Sequence, residues 1–336
     1  MSKIGNIRYV SDAGLTWSRK KVGRGYQYTN KSGNPLKPEE IEKVESLKIP
    51  PAWNGVKICP SDDGHIQAIG FDDKGRKQYI YNPDWIAYQQ QNKFDGMIRF
   101  GEILPKLRRT VYRHMTQEEL TRKQILATVV WLLENTFIRV GNRTYEKEND
   151  SHGLTTLRGK HVKVWGDKIK FSFKGKSGVY HELDISHPRV AKTVKKCIEL
   201  PGYKIFQYFD EEKNKKTVDS KDVNEYLHNV AGETMSAKDF RTWGGTTIAG
   251  TTLFNLGKPK SEEEAKIFIA QAYEEVAENL GNTVAVCKDY YIHPKIMTSY
   301  EDGSLIPHFK RVYKSKDKSP NRMSLGEYAT WTLLQL

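Results

Sequence analysis

The chain has 336 residues, enough on the usual size of folding units for two domains. Its 54 Lys and Arg against 41 Asp and Glu give a net charge of +13, which suits a polyanionic partner, while 38% hydrophobic residues exclude wholesale disorder. No apolar run approaches the roughly 18 residues of a membrane span, and Cys59, Cys197 and Cys287 are too isolated for a disulfide framework or a CxxC metal knuckle. The N-terminal MSKIGNIRYVSD lacks the apolar core and small-residue cleavage site of a signal peptide, so a cytoplasmic protein is expected.

In chain order, residues 6–85 alternate short β-like runs with turn signals: Ile7 to Val10, Tyr26 to Asn30, Val56 to Cys59, His65 to Gly70 and Gln78 to Tyr81. One helix interrupts them, opened by Pro38-Glu39-Glu40 and carrying Ile41, Val44 and Leu47 on one face. From Asn82-Pro83 the texture turns helical. Thr116 and Glu119 have capping-box spacing ahead of Ile125, Val129, Leu132 and Leu133, whose intervals predict a core helix. Between Lys160 and Leu183 the runs HVKVW, KIKFSF and VYHEL, broken at Gly166-Asp167 and at Lys174 to Gly178, predict a three-stranded antiparallel meander. After Ser186 helical signals return, with Ser236/Asp239 and Ser261/Glu264 each spaced as N-cap and N3. The second pair opens a helix whose Ile269, Tyr273, Val276, Ala277 and Leu280 form one stripe ended by Gly281. The lysine-rich stretch Tyr313 to Arg322 reads as an exposed loop before a last helix from Ser324. The expected fold is α+β: a small β-rich N-terminal domain over residues 1–88 and a larger, mainly α-helical domain over 89–336 that holds the meander.

Several familiar sites are absent from the sequence. Gly175-Lys176-Ser177 imitates the end of a phosphate-binding P-loop, but Lys170 stands where the first glycine is required. There is no HExxH pair and no GxSxG elbow, so neither a metal site nor a cofactor is expected. What remains is a dispersed set of residues, each ordinary alone. Arg139 follows an apolar helix, where an arginine usually caps a solvated end. Lys238 and Arg241 stand three apart, so one phosphate can meet both, although a surface charge pair is the commoner explanation of such spacing. Lys176 sits at a predicted hairpin tip, Asn282 directly follows the glycine that ends a helix, and Tyr290 and Tyr291 read as partly buried aromatics.

In order and spacing these residues resemble the catalytic pentad of type IB DNA topoisomerases: an arginine, a lysine on a β-hairpin, an arginine in a KxxR segment, a histidine or asparagine, and a tyrosine nine residues later. Here those positions are Arg139, Lys176, Arg241, Asn282 and Tyr291. Upstream, Pro50-Pro51-Ala52-Trp53 and Gly75-Arg76-Lys77-Gln78-Tyr79-Ile80-Tyr81 look like the DNA-contacting segment of the compact bacterial and poxviral members. The resemblance runs from about Tyr9 to about His293. It departs at Asn282, where poxviral and eukaryotic relatives carry histidine and the bacterial branch is similar to this chain.

The resemblance implies an enzyme that cuts one DNA strand through a 3′-phosphotyrosyl intermediate and rejoins it, without ATP or a metal ion. Tyr291 would be the nucleophile, Lys176 the general acid, and Arg139, Arg241 and Asn282 the donors to the nonbridging oxygens. Gln78 would read a base edge and Arg76, Tyr79 and Tyr81 would hold phosphates, with Tyr145 and Lys238 making further contacts near the scissile phosphate. The expected assembly is a monomer whose two domains clamp double-stranded DNA, associated with the nucleoid. Residues 1–88 hold 14 Lys/Arg against 10 Asp/Glu and the remainder 40 against 31, so both halves are basic. A tyrosine recombinase is the main rival, but those enzymes usually show HxxR where this chain has Lys238-Asp239-Phe240-Arg241, and they lack the two upstream segments. A non-enzymatic DNA clamp would not need every pentad position filled.

Overall fold

The computed structural model describes residues 3, 4, 6–117, 120–232, 235–315 and 323–336, with Lys3, Ile4 and Tyr145 described by backbone alone. The chain divides into two compact units, Met1–Lys93 and Phe94–Leu336, each built on its own core. Architecture is mixed: a β-rich first unit, and a mainly helical second unit with small sheets.

The first unit opens with a short antiparallel pair, β1 (Lys3–Ile4) and β2 (Ile7–Arg8). Its centre is a five-stranded antiparallel sheet of β3 (Trp17–Val22), β4 (Gly25–Thr29), β5 (Asn54–Ile58), β6 (Ile66–Phe71) and β7 (Lys77–Tyr81), in the order β4-β3-β5-β6-β7. Strand β3 is an addition to the sequence reading. Only Trp17 of WSRKKV is buried, so the alternation that betrays a strand is hidden, and pairing with β4 and β5 holds it instead. Helix α1 (Pro38–Ser46) starts where expected, with Pro38 in its first turn and Glu40 accepting from the Lys37 N–H at 2.8 Å. Its Val44 joins Trp17, Leu36, Val56, Ile58 and Ala68 in one cluster, while Val10, Leu15, Cys59, Ile66 and Ile69 form a second. The Pro50 to Trp53 segment is pinned by Arg19, whose guanidinium donates to the carbonyls of Ile49, Pro50 and Trp53.

Helix α2 (Pro83–Met115) begins in the first unit and continues into the second. Helix α3 (Arg122–Thr136) is the core helix read from Ile125, Val129, Leu132 and Leu133, all buried. Its cap differs from the expected one. Thr121 is the N-cap, accepting from the Gln124 N–H, whereas Thr116 lies just past the end of α2 with its hydroxyl on the Arg113 carbonyl. Glu119 lies outside the described residues. After α4 (Arg143–Asn149) comes the meander, β8 (Val162–Trp165), β9 (Lys168–Lys174) and β10 (Tyr180–Ser186), antiparallel in the order β10-β9-β8. Helix α5 (Pro188–Glu199), the short pair β11 (Gln207–Phe209) and β12 (Lys215–Thr217), and α6 (Ser220–Ala231) follow.

Helix α7 (Asp239–Leu256) is the spine of the second unit. Phe240 and Trp243 at its start belong to the core shared with α2, α3, the meander, α5 and α6, whereas Ala249 and Leu253 belong to the core of the last helices. Buried on so many sides, it shows no single apolar stripe, and sequence periodicity could not outline it. Ser236 is not its N-cap. Lys238 holds that position, and Asp239 instead takes hydrogen bonds from the Ser236 N–H and hydroxyl in the turn before the helix. Helix α8 (Glu262–Leu280) has both expected ends, Ser261 accepting from the Glu264 N–H and Gly281 in the left-handed region at φ 55°. Four shorter helices complete the unit: α9 (Val284–Tyr290), α10 (Pro294–Glu301), α11 (Leu305–Lys314) and α12 (Leu325–Leu334). The expected loop does not begin at Tyr313, because Tyr313 and Lys314 close α11; residues 316–322 lie outside the described residues. Ser324 caps α12 as read, with Glu327 accepting from its N–H. No helix among the described residues is long and apolar enough to cross a membrane.

Candidate active site

Four of the five pentad positions lie at helix ends or in the turns beside them, and backbone carbonyls tie those ends together. Helix α3 terminates at Phe137, a non-glycine residue in the left-handed region at φ 52°. Two residues later comes Arg139. Its strand-like segment is pinned by the Leu154 and Thr155 N–H groups, which donate to the carbonyls of Arg139 and Val140 at 2.9 and 2.8 Å. Helix α8 terminates at Gly281, and the Asn282 N–H returns to the Ala277 carbonyl at 3.0 Å. Arg241, 3% exposed in the first turn of α7, joins the two ends by donating to the carbonyls of Phe137 and, at 2.8 Å, of Leu280. One buried guanidinium therefore fixes the chain two residues before Arg139 and two residues before Asn282. Burying such a cation is tolerable because its two terminal nitrogens donate to carbonyls.

Arg139 Nη2 donates to Asn282 Oδ1. Arginine has no acceptor, so this contact also decides which way the amide is turned, with the oxygen toward Arg139 and the NH₂ away from it. That Nδ2 is shut off from solvent and has no hydrogen-bond partner among the described residues, and the same is true of Arg241 Nε. Buried donors left in this state cost roughly 1–3 kcal/mol each.

Tyr291 follows the last residue of α9, its N–H on the Cys287 carbonyl at 2.9 Å. Its ring lies under the Arg241 guanidinium, 5.0 Å from Cζ to the ring centre. The approach depends on consecutive glycines in α7. A Cβ on Gly244 would overlap the Phe137 ring, and one on Gly245 would stand 2.5 Å from the Tyr291 carbonyl oxygen. Burial pushes the Tyr291 phenol pKa up, but Arg241, Arg139 and Lys238 outweigh it, so the net direction is down from the ordinary tyrosine value. Arg139 is lowered by its burial first and by Arg241 second. Tyr290 differs from its neighbour: it is the last residue of α9 and 46% exposed.

Lys176 is exposed at the tip between β9 and β10, in a tight turn where Ser177 takes φ 62°. It lines a cleft of about 200 Å³ with Arg139, Gly141, Asn142, Ser151 and His152. Lys238 is exposed at the N-cap of α7. The Tyr145 side chain lies outside the described residues.

Two family models match the chain: that of the eukaryotic DNA topoisomerase I catalytic core over residues 82–317, and that of the bacterial DNA topoisomerase IB N-terminal domain over residues 25–72. The chain is 32% identical over 307 residues to the DNA topoisomerase 1B of Acanthamoeba polyphaga mimivirus, an alignment covering 89% of this chain and 90% of the viral one. It is also 24% identical over 283 residues to the DNA topoisomerase 1B of vaccinia virus (strain Copenhagen), covering 81% of this chain and 86% of that protein. The chain belongs to the type IB DNA topoisomerase family.

In this type IB topoisomerase the second set of candidate residues sits on β7, an edge strand of the five-stranded sheet, and at Arg76 just before it, between the two matched segments. Tyr79 and Tyr81, 41% and 39% exposed, stack with ring centres 5.7 Å apart, and Lys77 Nζ lies 5.2 Å from the Tyr79 ring centre. Arg76 and Gln78 alternate to the other side, where both donate to Asp72 Oδ2, at 2.8 and 2.9 Å. Hydrogen bonding from Arg76, more than any other cause, brings the Asp72 carboxyl down to about 2. The four side chains thus lie on or just before one strand but not on one face. Sequence reasoning did not single out Phe137 and Leu280, whose role is played by main-chain carbonyls, nor the Gly244-Gly245 pair.

Proposed function

We propose that the chain relaxes supercoiled duplex DNA by cutting one strand with Tyr291, letting that strand turn about its partner, and rejoining it. The observation that carries this reading is the set of donors beside Tyr291, two guanidinium groups and an asparagine amide, of which Asn282 Nδ2 and Arg241 Nε lack an acceptor among the described residues. In the reaction the phenol oxygen of Tyr291 attacks the scissile phosphorus and gives up its proton to solvent water. The bond to the 5′ oxygen breaks, and Lys176 protonates that oxygen as it leaves. Negative charge concentrates on the two nonbridging oxygens, where Arg139, Arg241 and Asn282 donate; each such fixed donor is worth on the order of 3 kcal/mol. Religation is the reverse, the 5′ hydroxyl attacking the 3′-phosphotyrosyl bond. One phosphodiester replaces another, so the cycle needs no ATP, and the cationic donors supply the charge stabilisation that a metal ion would otherwise provide.

On this reading β7 lies against the duplex, with Tyr79, Tyr81 and Arg76 on phosphates and Gln78 at a base edge, while Lys238 and Tyr145 contact the strand near the scissile phosphate. The two basic units close on opposite faces of the DNA as a monomer acting on the nucleoid. The test is incubation with supercoiled plasmid in EDTA without ATP. Relaxation is expected; a mobility shift without relaxation would indicate a binding clamp, and joining of separate DNA sites a recombinase.

Two further outcomes follow. If about 6 to 10 phosphates are neutralised, affinity will fall by roughly three to five decades between 50 and 200 mM salt in a titration. In single-turnover cleavage, Asn282→Ala will lose about 10²- to 10³-fold, the cost of one transition-state donor, whereas Asn282→His restores a donor and recovers most of the rate.

A further inference from the structure

One side chain outside the pentad touches two of its segments. His181, on β10, stacks against Phe173 of the paired strand β9, ring centres 5.1 Å apart and planes at 18°. The edge of its imidazole faces two glycines. A Cβ on Gly175 would stand 2.6 Å from His181 Cδ2 and Nε2, and a Cβ on Gly281 would overlap Cε1. These are the residues immediately before Lys176 and Asn282. A histidine ring is thus wedged between the root of the lysine-bearing turn and the helix end that presents the asparagine, at two places where nothing larger than hydrogen fits.

We infer that His181 is a positioning residue that sets the Lys176 turn against the Asn282 turn, an inference that rests on the proposed role of Lys176 as general acid. The two sides of the wedge are not equally secured. The Asn282 side is anchored without it, by Arg139 on the Asn282 side chain, by Arg241 on the Leu280 carbonyl and by the Asn282 N–H on Ala277. The other side is a hairpin tip closed on itself by the Gly175 N–H on the Val179 carbonyl at 2.7 Å and held from outside at its base by the His152 N–H on the Lys174 carbonyl at 2.8 Å, with its residues 176–180 exposed. Removing the ring therefore releases the hairpin, and the loss falls on Lys176. Burial first, and the nearby Arg139 and Arg241 second, lower the His181 pKa, which suits a neutral packing role.

The experiment compares single-turnover cleavage of ordinary duplex DNA and of the same duplex carrying sulfur in place of the scissile 5′ oxygen, a leaving group that needs no general acid. His181→Ala is expected to slow cleavage of ordinary DNA about 10- to 100-fold, the scale of an ångström-sized misplacement, with affinity unchanged, and to run near the wild-type rate on the sulfur substrate. Combined with Lys176→Ala it will add little further loss. Gly175→Ala supplies a second probe, because its methyl group meets the imidazole: it will slow the wild-type background more than the His181→Ala background. Wild-type rates in His181→Ala on ordinary DNA would overturn the inference, as would equal losses on both substrates together with additivity to Lys176→Ala. Failure of sulfur to rescue Lys176→Ala itself would instead remove the general-acid reading, and the additivity measurement would still decide whether His181 acts through Lys176.

Discussion

Tyr291→Phe will bind duplex DNA with wild-type affinity and form no covalent adduct. The substitution removes one oxygen from a ring whose place is set by other contacts: Gly245 beside its carbonyl, Arg241 over its face and its N–H on Cys287. Binding is carried by basic residues distributed over both units, so it survives, while turnover falls on the order of 10⁶-fold, the scale on which enzymes lose activity when a covalent nucleophile is removed. Tyr290→Phe is the control. That side chain is 46% exposed on α9, and its loss should leave relaxation unchanged. Measuring adduct by denaturing gel with end-labelled duplex separates the two, and a dead Tyr290→Phe with an active Tyr291→Phe would move the nucleophile by one residue.

Lys176→Ala will be badly impaired on ordinary DNA and close to wild type when the 5′ oxygen of the scissile bond is sulfur. A general acid contributes about 10² to 10⁴ in rate where the leaving group is a strongly basic alkoxide. A thiolate, with a conjugate acid near the cysteine value of about 8.5, leaves without a proton. Arg139→Ala and Arg241→Ala should fail on both substrates, since on the proposed mechanism their donors serve the nonbridging oxygens. Arg241→Ala should also impair folding of the site, because its guanidinium bonds the carbonyls of Phe137 and Leu280. Rescue of an arginine variant by sulfur, with Lys176→Ala left dead, would exchange the roles.

The meander, α1 and α8 were legible because each buries one face and carries its own turn or cap residues, as at Ser261 and Gly281, whereas α3 was legible from its apolar spacing alone, its cap lying at Thr121. Helix α7 was signalled only near its start, by the Ser236/Asp239 spacing, because burial on several sides leaves it no single stripe, and the fit of Gly244-Gly245 against Phe137 and Tyr291 could not be read. Strand β3 hid behind its charged residues. At the candidate site the five residues could be proposed from order and spacing, but the contacts that bring Arg139, Arg241, Asn282 and Tyr291 together could not be read. Those contacts depend on main-chain carbonyls at the ends of α3 and α8 and on the buried Arg241, none of which leaves a pattern in one sequence. His181 was invisible for a related reason, because its two neighbours are glycines 106 positions apart in the chain.

The central claim is that Tyr291 becomes joined to the 3′ phosphate of a cut strand. It is tested most directly by denaturing the protein during turnover on a duplex, digesting it, and locating the nucleotide-bearing peptide by mass spectrometry while the other end of the cut is offered to a kinase. The expected result is a nucleotide on Tyr291 with a 5′ hydroxyl that accepts label; a nucleotide on another residue, or a 5′ end blocked by the protein, would contradict it.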